Sequence, residues 1–185
     1  NLIADQLGAL GTSQIASFKD AQIKAIETRD INGLTTAQVV AMSTTQVASL
    51  VATSQFNNLT SSQVGALTTA QIQALTTDQI PALATADVAQ MNYLQVIALS
   101  TDQMPKLTTD QIKALDNGVI QYIETADFVK LTSAQIGAFT TAQIQQLTDA
   151  QLVALTTDQA PGITSAQLGK LTNDQLGLIE TQDFA

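Results

Sequence analysis

The sequence has no cysteine and no histidine. Those two absences remove disulfides, thiolate nucleophiles, thiolate or imidazole zinc sites, and the side chain that most often serves as a general base. Tryptophan is missing too, and aromatic residues make up only 4% of the chain. Any core is therefore built from Leu, Ile, Val and Ala, whereas large globular cores lean on Phe, Tyr and Trp. Charge is scarce: 12% of residues are charged, the net charge is −9, and the seven basic residues stand singly, Arg29 being the one arginine. A nucleic-acid surface needs clustered Lys and Arg to displace counterions from phosphates, so a nucleic-acid partner is not expected, and an anionic membrane surface is disfavoured on the same ground. No run approaches roughly eighteen consecutive apolar residues, so membrane insertion is not expected, and no signal peptide is visible at Asn1. Phosphate-binding loops, dinucleotide fingerprints and calcium-loop motifs are absent. The expectation is a chain with no catalytic residue, no cofactor and no metal site.

What is abundant is Thr, at 26 residues, and Gln, at 24, within a chain that is 45% hydrophobic. They recur with a period of eight. Large apolar anchors stand at Leu2, Leu10, Phe18, Ile26, Leu34, Met42 and Leu50; after a one-residue slip within 51–58 they resume at Leu59 and continue every eighth residue to Ile179. With the anchor as position one, position five is usually Gln, position six Ile, Val or Leu, and position eight often Ala. The unit reads L-T-T-x-Q-I-x-A, and about twenty-three copies fill residues 1–185 as a single array.

Periodicity decides the fold class. In one continuous helix each anchor would be displaced by about 80° from the last, and the apolar stripe would wind right round the axis. A β-solenoid competes, because Thr and even periods favour strands. Strict alternation fails, however, since positions six and eight would share a face while the next anchor pointed away. A short helix restarted in every repeat accounts for each residue type. Thr at position two is the N-cap and Gln at position five falls at N3, a capping box, as in Thr68 with Gln71, Thr76 with Gln79, Thr108 with Gln111 and Thr140 with Gln143. The anchor is then N′ and position six is N4, the hydrophobic staple. Leu67 with Ile72, Leu75 with Ile80, Leu107 with Ile112 and Leu131 with Ile136 are the corresponding core pairs. Asp at position four, for example Asp78, Asp102 and Asp110, meets the positive end of the helix dipole. Position seven accepts Pro81, Pro105, Pro161, Gly65, Gly137 and Gly169, so the helix ends there. Units of five or six helical residues are not stable alone, and the predicted architecture is an all-α solenoid of very short capped helices stacked on their neighbours. Position eight alternates small with large from Ala82 to Tyr122, which suggests pairing into sixteen-residue units.

Four repeats put Asp at position five: Asp30, Asp87, Asp127 and Asp183. In each the position-two cap is lost, leaving Glu27, Ala84, Glu124 and Glu180, while Thr28, Thr85, Thr125 and Thr181 stay at position three. One reading moves the cap one residue later, with Asp at N2; the other is a carboxylate ladder for cations. Their seven-, five- and seven-repeat spacing argues against a ladder. The run Asp116-Asn117-Gly118-Val119 reads either as a local bend or as a tolerated change.

The units L-T-T-A-Q-I-Q-A at 67–74, L-T-T-D-Q-I-P-A at 75–82 and L-T-S-A-Q-I-G-A at 131–138 resemble the octapeptide tracts of very large secreted or surface adhesin-like proteins of Gram-negative bacteria. That resemblance covers nearly the whole chain and implies an extracellular or cell-surface setting with a stalk, fibre or adhesin role; it carries no catalytic residues. The array is in phase at both Leu2 and Phe184, so the expectation is a segment of a longer array, or one whose ends self-associate, end to end or laterally, or meet flanking repeats of the same protein. The leading reading is an extracellular structural stalk or filament. The alternatives are a solenoid that holds a glycan, peptide or cell-surface ligand, and, more remotely, an ice-binding lattice of threonines.

Overall fold

The structure is a computed structural model, and it describes residues 2–179. Glu180, Thr181, Asp183 and Phe184 lie outside the described residues. Short helices follow one another, one per octapeptide except at 75–82, which forms turns, and among the described residues there is no strand, which removes the β-solenoid. The helices are four to six residues long, as in Thr85–Val88, Thr69–Gln73 and Thr109–Ala114. Each starts directly after an extended N-cap, at Thr35, Thr60, Thr68, Thr108, Thr132 and Thr140 among others. Some repeats tighten into 3-10 turns, and two of these, Met104–Lys106 and Ala160–Gly162, carry Pro105 and Pro161, whose missing N–H is harmless so near the start of the turn.

The chain divides into two compact units, Asn1–Gln90 and Met91–Ala185. The octapeptide phase of the sequence runs through the division, Leu83 and Met91 being eight apart. Both units bury the same two positions. In the first, Leu34, Leu50, Leu67 and Leu75 are buried together with Ile31, Val47, Ile72 and Ile80; in the second, Leu107, Leu115, Leu131 and Leu147 are buried with Ile112, Ile120, Ile136 and Ile144. Anchor and staple residue thus form a continuous aliphatic core in each unit, and burying two such side chains contributes about 3–6 kcal/mol per repeat.

Stacking partners lie three octapeptides apart. In the first unit Thr12–Ala16 packs on Thr36–Ala41, Asp20–Lys24 on Thr44–Ser49, and Ser61–Gly65 on Thr85–Val88; in the second Thr109–Ala114 packs on Ser133–Ala138 and Asp149–Val153 on Asn173–Leu178. The sixteen-residue pair suggested by position eight is therefore not the stacking unit. Three is odd, so an alternation with a two-repeat period sets small over large between stacked helices instead of marking out helix pairs.

Two glycine pairs set the closest approach of backbones. A Cβ on Gly8 would stand 2.9 Å from the carbonyl oxygen of Gly33, and one on Gly137 would stand 2.7 Å from that of Gly162. A Cβ on Gly33 would collide with the backbone of Ala4, and one on Gly162 with the backbone of Ser133. Gly137 is the penultimate residue of its helix, Ser133–Ala138, so this glycine stands in the last turn and also serves the contact with the next turn.

Candidate functional site

The site that recurs is the side chain of the position-five glutamine. Its own helix explains half of its bonding. The oxygen Oε1 of Gln71 accepts from the backbone N–H of Thr68 at 2.9 Å, and the N–H of Gln71 donates to Thr68 Oγ1 at 3.2 Å. The same closed box joins Thr76 with Gln79 (2.8 and 3.3 Å), Thr108 with Gln111 (2.7 and 3.2 Å) and Thr140 with Gln143 (2.8 and 3.1 Å). Near the start, Ile3, Gly11 and Lys19 stand at position two, and only the glutamine half of the box forms, from Gln6, Gln14 and Gln22.

The other half is a bond to the preceding turn. In the first unit Gln38 Nε2 donates to the carbonyls of Leu7 (2.8 Å) and Leu10 (2.7 Å), and Gln71 Nε2 to those of Val39 (2.9 Å) and Met42 (2.8 Å). In the second, Gln143 Nε2 donates to Ile112 (2.8 Å) and Leu115 (2.7 Å), and Gln159 Nε2 to Phe128 and Leu131, both at 2.8 Å. The acceptors are the staple residue of one earlier helix and the anchor that follows it; the staple carbonyl already accepts from the anchor's N–H, as Ile112 does from Leu115 at 3.3 Å, and the amide adds a second bond to it. One amide therefore caps the N-terminus of its own helix and the C-terminus of a helix one turn back. The bonds of Gln143 span 31 and 28 residues, so a turn closes with more than three octapeptides and fewer than four. These glutamines are buried: Gln79 and Gln143 are 0% exposed. Gln6, Gln14 and Gln22 have no residue 28 positions before them in this sequence, and they are exposed.

The slip falls inside this machinery. Val51 N–H donates to Gln55 Oε1 at 3.1 Å across four residues instead of three, and the backbone N–H groups of Phe56 and Asn57 donate to the carbonyls of Val51 and Ala52, five residues back. The extra residue is absorbed as a wider turn. Gln55 still reaches the usual pair of carbonyls, Ile23 at 2.9 Å and Ile26 at 2.6 Å, now 32 and 29 residues earlier.

The aspartate repeats differ from both sequence readings. The helices Thr85–Val88 and Thr125–Phe128 keep their N-caps at position two, Ala84 and Glu124, so the cap does not move and the aspartate sits at N3. Its carboxylate takes the glutamine's capping role, Asp87 Oδ2 accepting from Ala84 N–H at 3.2 Å, while the N–H of Asp87 donates to the Ala84 carbonyl at 3.0 Å where other repeats also offer a position-two side-chain oxygen. Asp30 instead accepts from Ala4 N–H through Oδ1 at 3.1 Å, while its buried Oδ2 has no hydrogen bond and lies 3.8 Å from Arg29 Nε. Burial pushes the Asp127 carboxyl above its ordinary value, and the charge of Glu124 adds to that. Among the described residues no three Asp or Glu side chains are grouped to hold a metal ion. In the D-N-G repeat Asp116 Oδ1 accepts from Gly118 N–H at 2.8 Å and starts the 3-10 turn Asn117–Tyr122; Leu115, Ile120 and Ile123 stay buried, so the change is tolerated in register.

The bonded unit can be read off the sequence as Ala66-Leu67-Thr68-Thr69-Ala70-Gln71: the residue closing one helix, the anchor, the cap, the first turn and the bridging glutamine. A family profile, the ALTTAQ repeat, matches residues 23–53, 51–85, 80–117 and 120–157. The chain belongs to the ALTTAQ repeat family. No curated protein matches it. The letters that name the ALTTAQ repeat are those that carry the geometry: the Thr oxygen and Gln Oε1 close the helix start, and Gln Nε2 ties that start to the turn before. None of the described helices is long and apolar enough to cross a membrane.

Proposed function

We propose that this ALTTAQ array is a non-catalytic structural element, a stalk or filament segment on the outside of a bacterial cell. The observation that carries the reading is the recurrence of one buried bond, position-five Gln to two carbonyls one turn back, in both units. The commonest polar residues, Thr and Gln, are occupied in building helix starts and joining turns. A chain that repeats the same junction gains length by adding equivalent units, each stabilised by its neighbours. Chemistry needs one constellation unlike the rest, and the position-four aspartates and position-two threonines are accounted for by caps and helix dipoles. The threonine hydroxyls that accept from backbone N–H groups are also not free to form an ice-matching lattice. The extracellular setting rests on the resemblance of the octapeptides to those of surface adhesin-like proteins, and the preferred partners are flanking repeats or further copies of the array.

Electron microscopy of the purified chain tests the filament form: elongated particles that join end to end or side by side are expected, and short monodisperse particles that never associate would exclude it. Protease shaving of intact cells that make the parent protein tests the location. Cleavage within the array while cytosolic markers stay whole is expected; full protection until lysis would overturn the surface placement.

A further inference from the structure

The chain has two tyrosines, Tyr93 and Tyr122, and no tryptophan. They are 29 residues apart in sequence, and the fold of the second unit brings their rings together: the centroids are 5.0 Å apart and the planes are tilted by 39°. Tyr93 lies on the helix Tyr93–Ile97, which packs on the 3-10 turn Asn117–Tyr122. That helix departs from the repeat on its outer face. Gln95 and Val96 point inward as usual, but Tyr93, Leu94 and Ile97 are exposed, at 47%, 49% and 37%, and Tyr122 joins them at 41%. At the outward positions of the helix Thr69–Gln73 the residues are Thr69, Ala70 and Gln73. Ring contact between the tyrosines supports the stacking of turns, which would be met as well by buried aromatics. It does not account for two ring faces and two aliphatic side chains left in water.

The patch is small. A stable interface between two proteins takes about 20–30 residues a side, and four apolar residues are far short of that. The exposed side chains bordering it in sequence are the amides Gln90, Asn92, Asn117 and Gln121 and the carboxylates Asp116 and Glu124. Tilted ring faces 5.0 Å apart offer two adjoining surfaces to a ligand that has flat C–H faces, and amides at the rim suit a ligand rich in hydroxyls. A pyranose chain has both; an anionic one would meet a protein of net charge −9. We infer that Tyr93 and Tyr122, with Leu94 and Ile97 beside them, form a binding platform for a neutral glycan chain. The platform stands whether or not the array forms filaments, since it uses residues outside the repeated junction.

The absence of tryptophan makes the test direct, because all tyrosine emission comes from this pair. The protein is titrated with cellohexaose and, separately, chitohexaose while tyrosine fluorescence is followed, and run by affinity electrophoresis through gels holding soluble neutral β-glucan, with polygalacturonate as the charged comparison. A saturable change in emission with at least one neutral probe is expected, along with retardation in the neutral gel and weaker binding in the charged one. Tyr93→Ala and Tyr122→Ala should each weaken association by about tenfold or more while helical content and thermal midpoint stay within a few degrees. No change in emission and no retardation with any neutral probe would overturn the proposal. So would binding that survives both substitutions, or sedimentation showing a concentration-dependent dimer that Tyr93→Ala abolishes, which would make the patch a self-interface.

Discussion

The turn through Val51 to Asn58 and the corresponding turns of the second unit differ by one residue, yet the bonds that join turns are the same. In the second unit Gln135, Gln143, Gln151, Gln159 and Gln167 each reach carbonyls 31 and 28 residues earlier. In the first, Gln38 and Gln46 keep those spans, whereas Gln55, Gln71 and Gln79, which look back across the insertion, span 32 and 29. Spacing along the chain changes and the chemical partner does not. The turn is thus defined by where the glutamine amide finds the two carbonyls at a helix end, and backbone length adjusts to it.

The largest break in that comparison comes from removing the amide. Gln143→Leu takes the Nε2 donor from the carbonyl of Leu115 and the Oε1 acceptor from the N–H of Thr140 in a buried setting, while the carbonyl of Ile112 keeps the N–H of Leu115. At about 1–3 kcal/mol for each of these two orphaned groups, a loss of roughly 2–5 kcal/mol is expected in urea denaturation of the whole chain. Gln14→Leu is the internal control: this amide is exposed and bonds only to Gly11 N–H at 2.7 Å, so a loss below about 1 kcal/mol is expected. Equal losses for the two would show that the bond between turns contributes little and the cap carries the effect.

Backbone approach comes next. Gly162→Ala places a methyl group against the backbone of Ser133, while Gly65→Ala meets nothing within 4 Å. The first should cost about 1–3 kcal/mol through overpacking, and the second should be neutral or stabilise by about 0.4–1 kcal/mol by stiffening the unfolded chain. Thermal midpoints of the two variants decide this, and a harmless Gly162→Ala would mean that the turns slide apart freely.

Much of the fold was legible because the octapeptide encodes its own start. Leu67, Thr68, Gln71 and Ile72 have the order of a staple and a capping box, and each takes that role. The second task of the glutamine was not read, because a capping box is satisfied by Glu or Gln alike and a local motif does not say where the spare atom points. The signal was present nonetheless: position five holds eighteen Gln, four Asp, one Val and no Glu. A negative residue near a helix start is otherwise favourable, so the avoidance of Glu marks an amide whose N–H₂ is used. The meeting of Tyr93 with Tyr122 was illegible for another reason. It depends on the length of a turn, and the repeat period of eight contains no information on how many repeats close one.

Asp127 sharpens the comparison from the opposite side, since it is a position-five residue without a donor. Counting back 31 and 28 residues, the spans kept by Gln135, leads from Asp127 to Val96 and Leu99, so a carboxylate stands in the register of an amide that faces carbonyls. Its folded-state pKa is raised, by burial first and by Glu124 second, so between the ordinary carboxyl value and the folded one the folded chain holds a proton that the unfolded chain has released. Stability from this group is therefore complete below the ordinary carboxyl value and falls as pH rises through the folded one. Asp127→Gln should raise stability at neutral pH by about 1 kcal/mol, the worth of a typical hydrogen bond, and the gain over the parent should shrink as the pH is lowered toward 4. Paired thermal melts of the two proteins from neutral to acid pH measure that difference, and a gain that is flat or grows on acidification would reject the assignment.

Deleting the inserted residue gives the smallest effect and the closest test of what sets the turn. If the glutamine contact governs, removing Thr53 lets the segment close with the three-residue cap seen elsewhere, and Gln55 still finds the carbonyls of Ile23 and Ile26. The bonds between turns then revert to spans of 31 and 28, the backbone N–H groups of Phe56 and Asn57 lose their bonds across five residues, and stability changes by less than about 1 kcal/mol, since loop length alone has only a shallow effect. Amide exchange at Phe56 and Asn57 should change while that at Ile72 and Val47 stays protected. Loss of protection throughout the first unit would mean that the wider turn is required by the packing of this unit, and that backbone length, not the amide, holds the register there.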